Sequence, residues 1–140
     1  MPLELGSLRQ AILSLNAVLS RSNNLQLMTS LDDVTQQAIK AGAIQHFEFT
    51  YELSWKFMKR WLEMNVSPTA VDGVTRRELF RQAAEHKLIG DIESWMAHHY
   101  ARNQTSQTYD ASVAEEVYRA VDPFRRDVGE LLAALEAHND

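Results

Sequence analysis

Cysteine is absent from all 140 residues. That removes disulfides, thiol nucleophiles and thiolate-bound zinc from consideration. Glycine and proline are scarce, five and three in number, so few positions can break a long helix. No stretch reaches the roughly 18 apolar residues that a membrane-spanning helix needs, and the first residues lack a basic segment followed by an apolar run. No membrane association and no secretory leader are expected, and a cytoplasmic location fits both this and the missing cysteine. The formal net charge is -5, which excludes a protein that coats nucleic acid by bulk charge. Glycine-rich phosphate loops are missing. No two of the five histidines stand four apart, and His98 and His99 are adjacent, pointing about 100° apart on a helix. No metal is expected, and no cofactor bound by this chain. On this reading His98 is a surface residue and His99 partly buried.

What is present is a helical pattern. The apolar fraction is 45%, with three Trp, four Tyr and five Phe, enough for one globular domain over residues 1–140. Leu5, Leu8, Ile12, Leu15 and Leu19 recur at spacings of three and four, which predicts a first helix from about Leu3 to Leu19, extendable to Met28. Ser30 with Asp33 marks the start of a second, the spine, running from about Leu31 to Met64. Thr75-Arg76-Arg77-Glu78 has the spacing of a capping box and opens a third helix through about Lys87, which Gly90 is placed to end. Asp91 caps a fourth, carrying Ile92, Trp95, Met96 and His99 on one side. Asp110, or Ser112 with Glu115, opens a fifth, in which Asp122-Pro123 predicts a kink or restart. No strand is expected. Five helices without repeats or linkers make an all-α antiparallel bundle.

On the spine, Glu48, Glu52, Lys56, Lys59 and Glu63 fall in a stripe about 80° wide on the helix wheel, with Glu52–Lys56 and Lys59–Glu63 spaced for mutual support. Aromatic and aliphatic residues from Phe47 to Met64 cover most of the rest. An apolar arc this wide exceeds that of an ordinary surface helix, so a second copy of the chain is expected to cover part of it, with Trp55 and Trp61 supplying interface area. Glu48, Glu52 and Trp55 are the candidate partner or dimer surface.

The candidate binding segment is Arg102-Asn103-Gln104-Thr105-Ser106-Gln107-Thr108-Tyr109-Asp110. It joins two predicted helices without Gly or Pro. Arg and hydroxyl donors of this kind can hold a phosphate or nucleotide; the alternative is a solvated loop whose Asp110 caps the next helix. Arg76, Arg77 and Arg81 form a second basic group, read as a solvated face rather than a phosphate seat. Gly6-Ser7 has no Asp-x-Asp after it, so the chain is not the catalytic subunit of a nucleotidyltransferase.

Two segments carry a family resemblance. Gln45-His46-Phe47-Glu48-Phe49-Thr50-Tyr51-Glu52-Leu53-Ser54-Trp55-Lys56 resembles the Q-R-F-E-F-[TA]-[FY]-E-L-[AS]-W-K signature of the nucleotidyltransferase substrate-binding proteins, helical members of the HEPN superfamily that include the HepT-like chains. Arg102 to Asp110 resembles that family's R-N-x-T-S-H-T-Y-D, and Arg77-Glu78-Leu79-Phe80, Leu88-Ile89-Gly90 and Trp95 match the region between. The resemblance spans about residues 5–136. It implies an up-and-down four-helix bundle with an additional helix, similar to the helical domain of kanamycin nucleotidyltransferase. It also implies a homodimer and a separate minimal nucleotidyltransferase as partner, with ATP and Mg²⁺ belonging to that partner.

Some relatives are implied to be ribonuclease toxins with an R-x₄-H-x-Y motif whose tyrosine the partner adenylylates. Here Arg102 and Tyr109 keep their places, while the motif His is Gln107 and the Arg of Q-R-F is His46. Gln cannot move protons near neutral pH as His does. The expectation is therefore a subunit that is not an enzyme by itself. It would bind nucleotide or substrate through Arg102, Asn103, Thr105, Ser106 and Tyr109, with Tyr109 open to adenylylation. The alternatives are a ribonuclease toxin acting on RNA, impaired by the loss of that His, and a helical adaptor with no nucleotide role.

Overall fold

A computed structural model describes residues 2–139. Its elements are α1 (Gly6–Ser22), α2 (Leu25–Thr29), α3 (Asp33–Asn65), α4 (Arg76–Glu85), α5 (Ile92–Asn103), a 3₁₀ turn (Gln104–Gln107) and α6 (Ala111–Ala137), with no strand among the described residues. The all-α expectation holds. The first predicted helix is in fact two: α1 stops at Ser22, and the Asn24 side chain accepts from the Leu27 N–H to start α2. Asparagine is better placed at a cap than inside a helix, so Asn23-Asn24 divides the pattern. The spine begins at Asp33, two residues later than expected, with Asp32 rather than Ser30 as its cap: Asp32 accepts the Thr35 N–H at 2.7 Å.

Pairwise contacts fix the directions. Leu3 bonds to Asn139 and Arg9 to Glu136, so α1 and α6 run antiparallel. Lys40 pairs with Glu115, and Trp61 donates to the carbonyl of His138. The spine α3 is therefore parallel to α6. His99 meets Tyr51 while Arg102 meets Glu52, which sets α5 against α3. Helices α1, α3, α5 and α6 thus form an up-down-up-down bundle, with α4 as the additional helix and α2 as a short connector.

The centre is aromatic. Phe124 stands edge-on to Phe47 at 5.0 Å, to His98 at 5.3 Å and to Trp95 at 5.8 Å between ring centroids. Edge-to-face contacts of this kind add to plain area burial. Trp61, expected at an interface, is instead covered inside the chain, between His86 and His138. Phe49 remains exposed on the same helix at 59%. Pro123 lies within α6 and does not restart it. Proline at a helix interior gives up one hydrogen bond, and Phe124, Val121 and Val128, all fully buried around it, hold the helix together.

Helix α4 closes differently from expectation. Thr75 accepts the Glu78 N–H at 3.1 Å, but the Glu78 carboxylate turns to Arg81 and Gln82 rather than back to the cap. At the other end Lys87, not Gly90, takes the left-handed conformation, with φ 62°. The N–H of Leu88 reaches the carbonyl of Ala83 at 2.8 Å and that of Lys87 reaches Ala84 at 3.0 Å, the paired bonds of a Schellman motif. Leu88 is buried just behind, which forces the turn to this residue.

A non-glycine residue in that conformation is strained by about 1–2 kcal/mol. Lys87 is exposed and its side chain makes no hydrogen bond or ion pair among the described residues. Lys87→Gly is therefore expected to raise stability by about 0.5–1 kcal/mol, after allowance for the looser unfolded chain. Urea denaturation should move the midpoint upward at unchanged slope; a midpoint at or below that of the unaltered chain would contradict the strain.

Candidate functional site

The site lies where the middle of α3 meets the last turn of α5. Glu48 and Glu52 stand four residues apart on α3 and so share one face. Rather than pairing with Lys56, Glu52 accepts Arg102 Nε on Oε1 at 3.0 Å, and Glu48 lies 3.4 Å from Arg102 Nη1. The Thr105 hydroxyl donates to Glu48 at 2.6 Å and accepts from Arg102 Nη1 at 3.3 Å. The two glutamates, expected to face a partner or a second copy, thus form the wall that holds Arg102. All three charged side chains are about a third exposed, so their value lies in orientation more than in stability.

A second set of groups adjoins it. Tyr51, fully buried, faces His99 Nδ1 at 2.8 Å from its hydroxyl. Burial pushes the Tyr51 phenol well above its ordinary range, and the nearby Arg76 charge works against that. Burial also lowers the His99 pKa; Arg76 and then Arg102 reinforce the shift, while Glu52 opposes it. His99 is therefore neutral at pH 7. The Arg76 guanidinium stacks on Trp55, 3.8 Å from the ring centroid, and Trp55 Nε1 donates to the other oxygen of Glu52 at 3.1 Å.

The remaining predicted residues are more dispersed. Asn103 is exposed, with its amide 3.4 Å from His99 Nε2. Ser106 and Gln107 are exposed in the 3₁₀ turn. Tyr109 is 89% exposed, not packed against the start of α6, and Asp110 caps that helix through the Ser112 N–H. The Arg76, Arg77 and Arg81 group is not one patch. Arg77 pairs with Glu93, Arg81 with Glu78 and Glu85, and only Arg76 turns toward the site. Tyr51 was not singled out by sequence as a site residue, Arg76 was read as part of a solvated face, and His99 only as partly buried. The spacing of His99 three residues before Arg102, on one helix face, was the available signal.

His98 reverses the sequence expectation: it is 3% exposed and bonded to Asp127 at 2.6 Å. Burial depresses its pKa, and Asp127 only partly offsets this. The contact is accordingly a neutral N–H donating to a carboxylate at pH 7, not an ion pair. No helix of the described residues is long and apolar enough to cross a membrane.

Up-down-up-down topology with an additional helix, and an Arg held by two glutamates of the spine, make this a helical-bundle domain with one arginine-centred polar site. A sequence profile described as nucleotidyltransferase substrate binding protein like matches residues 3–137. The chain belongs to that family. It is 35% identical over 138 residues, 98% of this chain and 94% of the other, to a Haemophilus influenzae protein named probable ribonuclease HepT. Among solved structures, it resembles HI0074 of Haemophilus influenzae at a TM-score of 0.91 and 34% identity, covering 95% of this chain and 99% of that one. That structure is described as revealing the fold of a substrate binding domain of a nucleotidyltransferase. A protein from Thermus thermophilus shares the fold at a TM-score of 0.68 and 22% identity, over 89% and 98% of the two chains.

His98 and His99 both have folded-state pKa values below the ordinary 6.5. Above pH 6.5 their contribution to stability is complete. As pH falls below it, the unfolded chain takes up protons that the folded chain refuses, and stability is lost. Urea titrations between pH 7 and 5.5 should show a falling midpoint, with a shallower fall in His98→Gln. An identical pH slope in that variant would mean that His98 is not held neutral.

Proposed function

We propose that the chain is a non-catalytic substrate-binding or regulatory subunit that pairs with a separate minimal nucleotidyltransferase. ATP and Mg²⁺ are the partner's, and Tyr109 is the group presented for adenylylation. The observation that carries this reading is the exposure of Tyr109 at 89%. It follows directly on an arginine-anchored turn. Arg102 and Thr105 are tied to Glu48 and Glu52, so the segment before the phenol is held in place while the phenol itself is free. A nucleotidyl acceptor needs that combination: a hydroxyl open to an incoming enzyme and a fixed backbone beneath it. The family's description, with its reference to nucleotidyltransferase substrate binding, supports the choice of partner. The subunit is proposed to be a homodimer, with exposed Phe49 and Met64 of α3 available for burial between copies.

The Arg102 of this reading is not a bare cation. Two carboxylates compensate it, so an approaching phosphate must compete with Glu48 and Glu52. That suits a positioning role better than a tight anion site.

A ribonuclease is the second reading. The name of the Haemophilus influenzae relative favours it, as does the placement of neutral His99 one turn before Arg102. Against it stands Gln107, which cannot serve as the acid or base. Under the first reading the isolated chain leaves single-stranded RNA intact, and Gln107→His raises cleavage by about 10²-fold or more if the remaining geometry is competent. Strong cleavage by the unaltered chain that disappears in Arg102→Gln would favour the ribonuclease.

The main test is mass spectrometry. The chain is incubated with its partner enzyme, ATP and Mg²⁺, alongside Tyr109→Phe. The expected result is one adenylyl addition in the unaltered chain and none in the variant, with native spectra at twice the 16.0 kDa chain mass. Equal addition in both would rule out Tyr109 as the acceptor.

A further inference from the structure

Beside Trp55 lies a cavity of about 220 Å³ that Arg102 does not line. Trp55, Lys59 and Leu79 line it, with the loop Gly73-Val74-Thr75 and Arg76. The proposed function does not use it.

Its charge is the first notable feature. No carboxylate of the described residues lies within ion-pair distance of Arg76, Lys59, Lys56 or Arg60. In a chain of net charge -5, the two charged residues that line the cavity, Lys59 and Arg76, are both cations. Arg76 is held in place, stacked on Trp55 at 3.8 Å, and Lys56 lies 5.8 Å from the same ring. A stacked guanidinium keeps its edge free for in-plane hydrogen bonds.

The second feature is unmet hydrogen bonding. Arg76 Nη1 is shielded from solvent and makes no close hydrogen bond; its guanidinium carbon lies 6.0 Å from the Tyr51 ring, whose phenol it influences. The loop beside it turns at Gly73, with φ +70°. It leaves the N–H groups of Val74 and Thr75 without a partner among the described residues. These are donors without acceptors, beside a cavity, next to excess positive charge. After burial, the Arg76 charge is also the leading influence on both Tyr51 and His99, so its field is felt across the site.

We propose that the pocket bounded by Trp55, Lys59 and Arg76 is a phosphate seat that takes one phosphate of a nucleotide or of a single RNA strand. The cavity has room for about seven waters at roughly 30 Å³ each, which suffices for a phosphate group. Arg76 supplies a fork of N–H donors and Lys59 a point charge. Unlike Arg102, neither must first be released from a carboxylate. The proposal needs neither the partner enzyme nor modification of Tyr109, so it can fail while the proposed function stands, and the reverse.

The test titrates the isolated full chain with inorganic phosphate, AMP and a ten-nucleotide single-stranded RNA, following the Trp55 indole N–H by NMR. The expected result is a saturable shift with AMP or RNA. Affinity should fall about tenfold or more in Arg76→Gln and in Lys59→Gln, and less in Arg102→Gln. With RNA, each of the first two variants should reduce the salt dependence by about 0.7 in log–log slope. RNA binding much tighter than AMP would identify a strand as the ligand; equal affinity would identify a mononucleotide. Lys59 is half-buried in the last quarter of α3 and makes no ion pair among the described residues, so its variant tests the seat even if Arg76→Gln folds poorly. The proposal is overturned if no probe shifts Trp55 saturably, or if only Arg102→Gln loses binding.

Discussion

Phe124 touches α3 through Phe47 and Tyr51, and α5 through Trp95 and His98. One ring on α6 thereby sets the separation of three helices. Close packing leaves little freedom once those rings interlock. Tyr51 and His98 are half of that contact set, and each has a polar group on its far side or on the residue beside it. Tyr51 turns its hydroxyl to His99, and His98 turns its ring nitrogen to Asp127. The aromatic centre is therefore also the base on which the polar site is built. A shift of α5 by one residue would rotate Arg102 about 100° off the Glu48–Glu52 face.

Glu52 is the branching point of the polar side. One of its oxygens receives Arg102 from α5, and the other receives the Trp55 indole, on which Arg76 of α4 stacks. Helices α3 and α5 meet on this carboxylate, and α4 joins them through the tryptophan ring. Partly exposed ion pairs contribute little to stability, but a carboxylate shared in this way fixes relative orientation. The two guanidiniums end in different states: Arg102 is neutralised by two acids, and Arg76 by none within reach among the described residues. The same family motif that supplies both glutamates and the tryptophan thus separates a structural cation from an available one.

Much of the architecture was legible because apolar spacing along a helix is a local property. The Leu5 to Leu19 series, the Thr75 and Asp91 caps and the Asp110 cap all appear where the pattern places them. The division of the first helix at Asn24 is a local capping effect; the other misreadings share one cause, which is tertiary context. Gly90 looked like a helix end because glycine adopts the left-handed turn easily, yet burial of Leu88 puts the turn at Lys87. Pro123 looked like a break, yet buried neighbours carry α6 through it. On the wheel Glu52 had Lys56 as its natural partner, and nothing local reveals an arginine fifty residues on. His98 looked exposed because its pairing with Asp127 joins two helices. At the site, the motif gave Arg102 and Tyr109, while Arg76 was hidden in a basic run whose members point to different partners.

The outermost described segments are joined by a single side chain. The Asn139 amide receives the N–H of Leu3 at 2.7 Å and donates to the Leu3 carbonyl at 3.0 Å, copying a pair of backbone bonds. Arg9 and Glu136 add a second link further in, and Trp61 holds the carbonyl of His138 from the spine. Terminal segments usually fray independently. Here the first stretch of backbone to loosen takes away the partners of the last, so opening at the two ends is a single cooperative event: they come apart together or they stay closed.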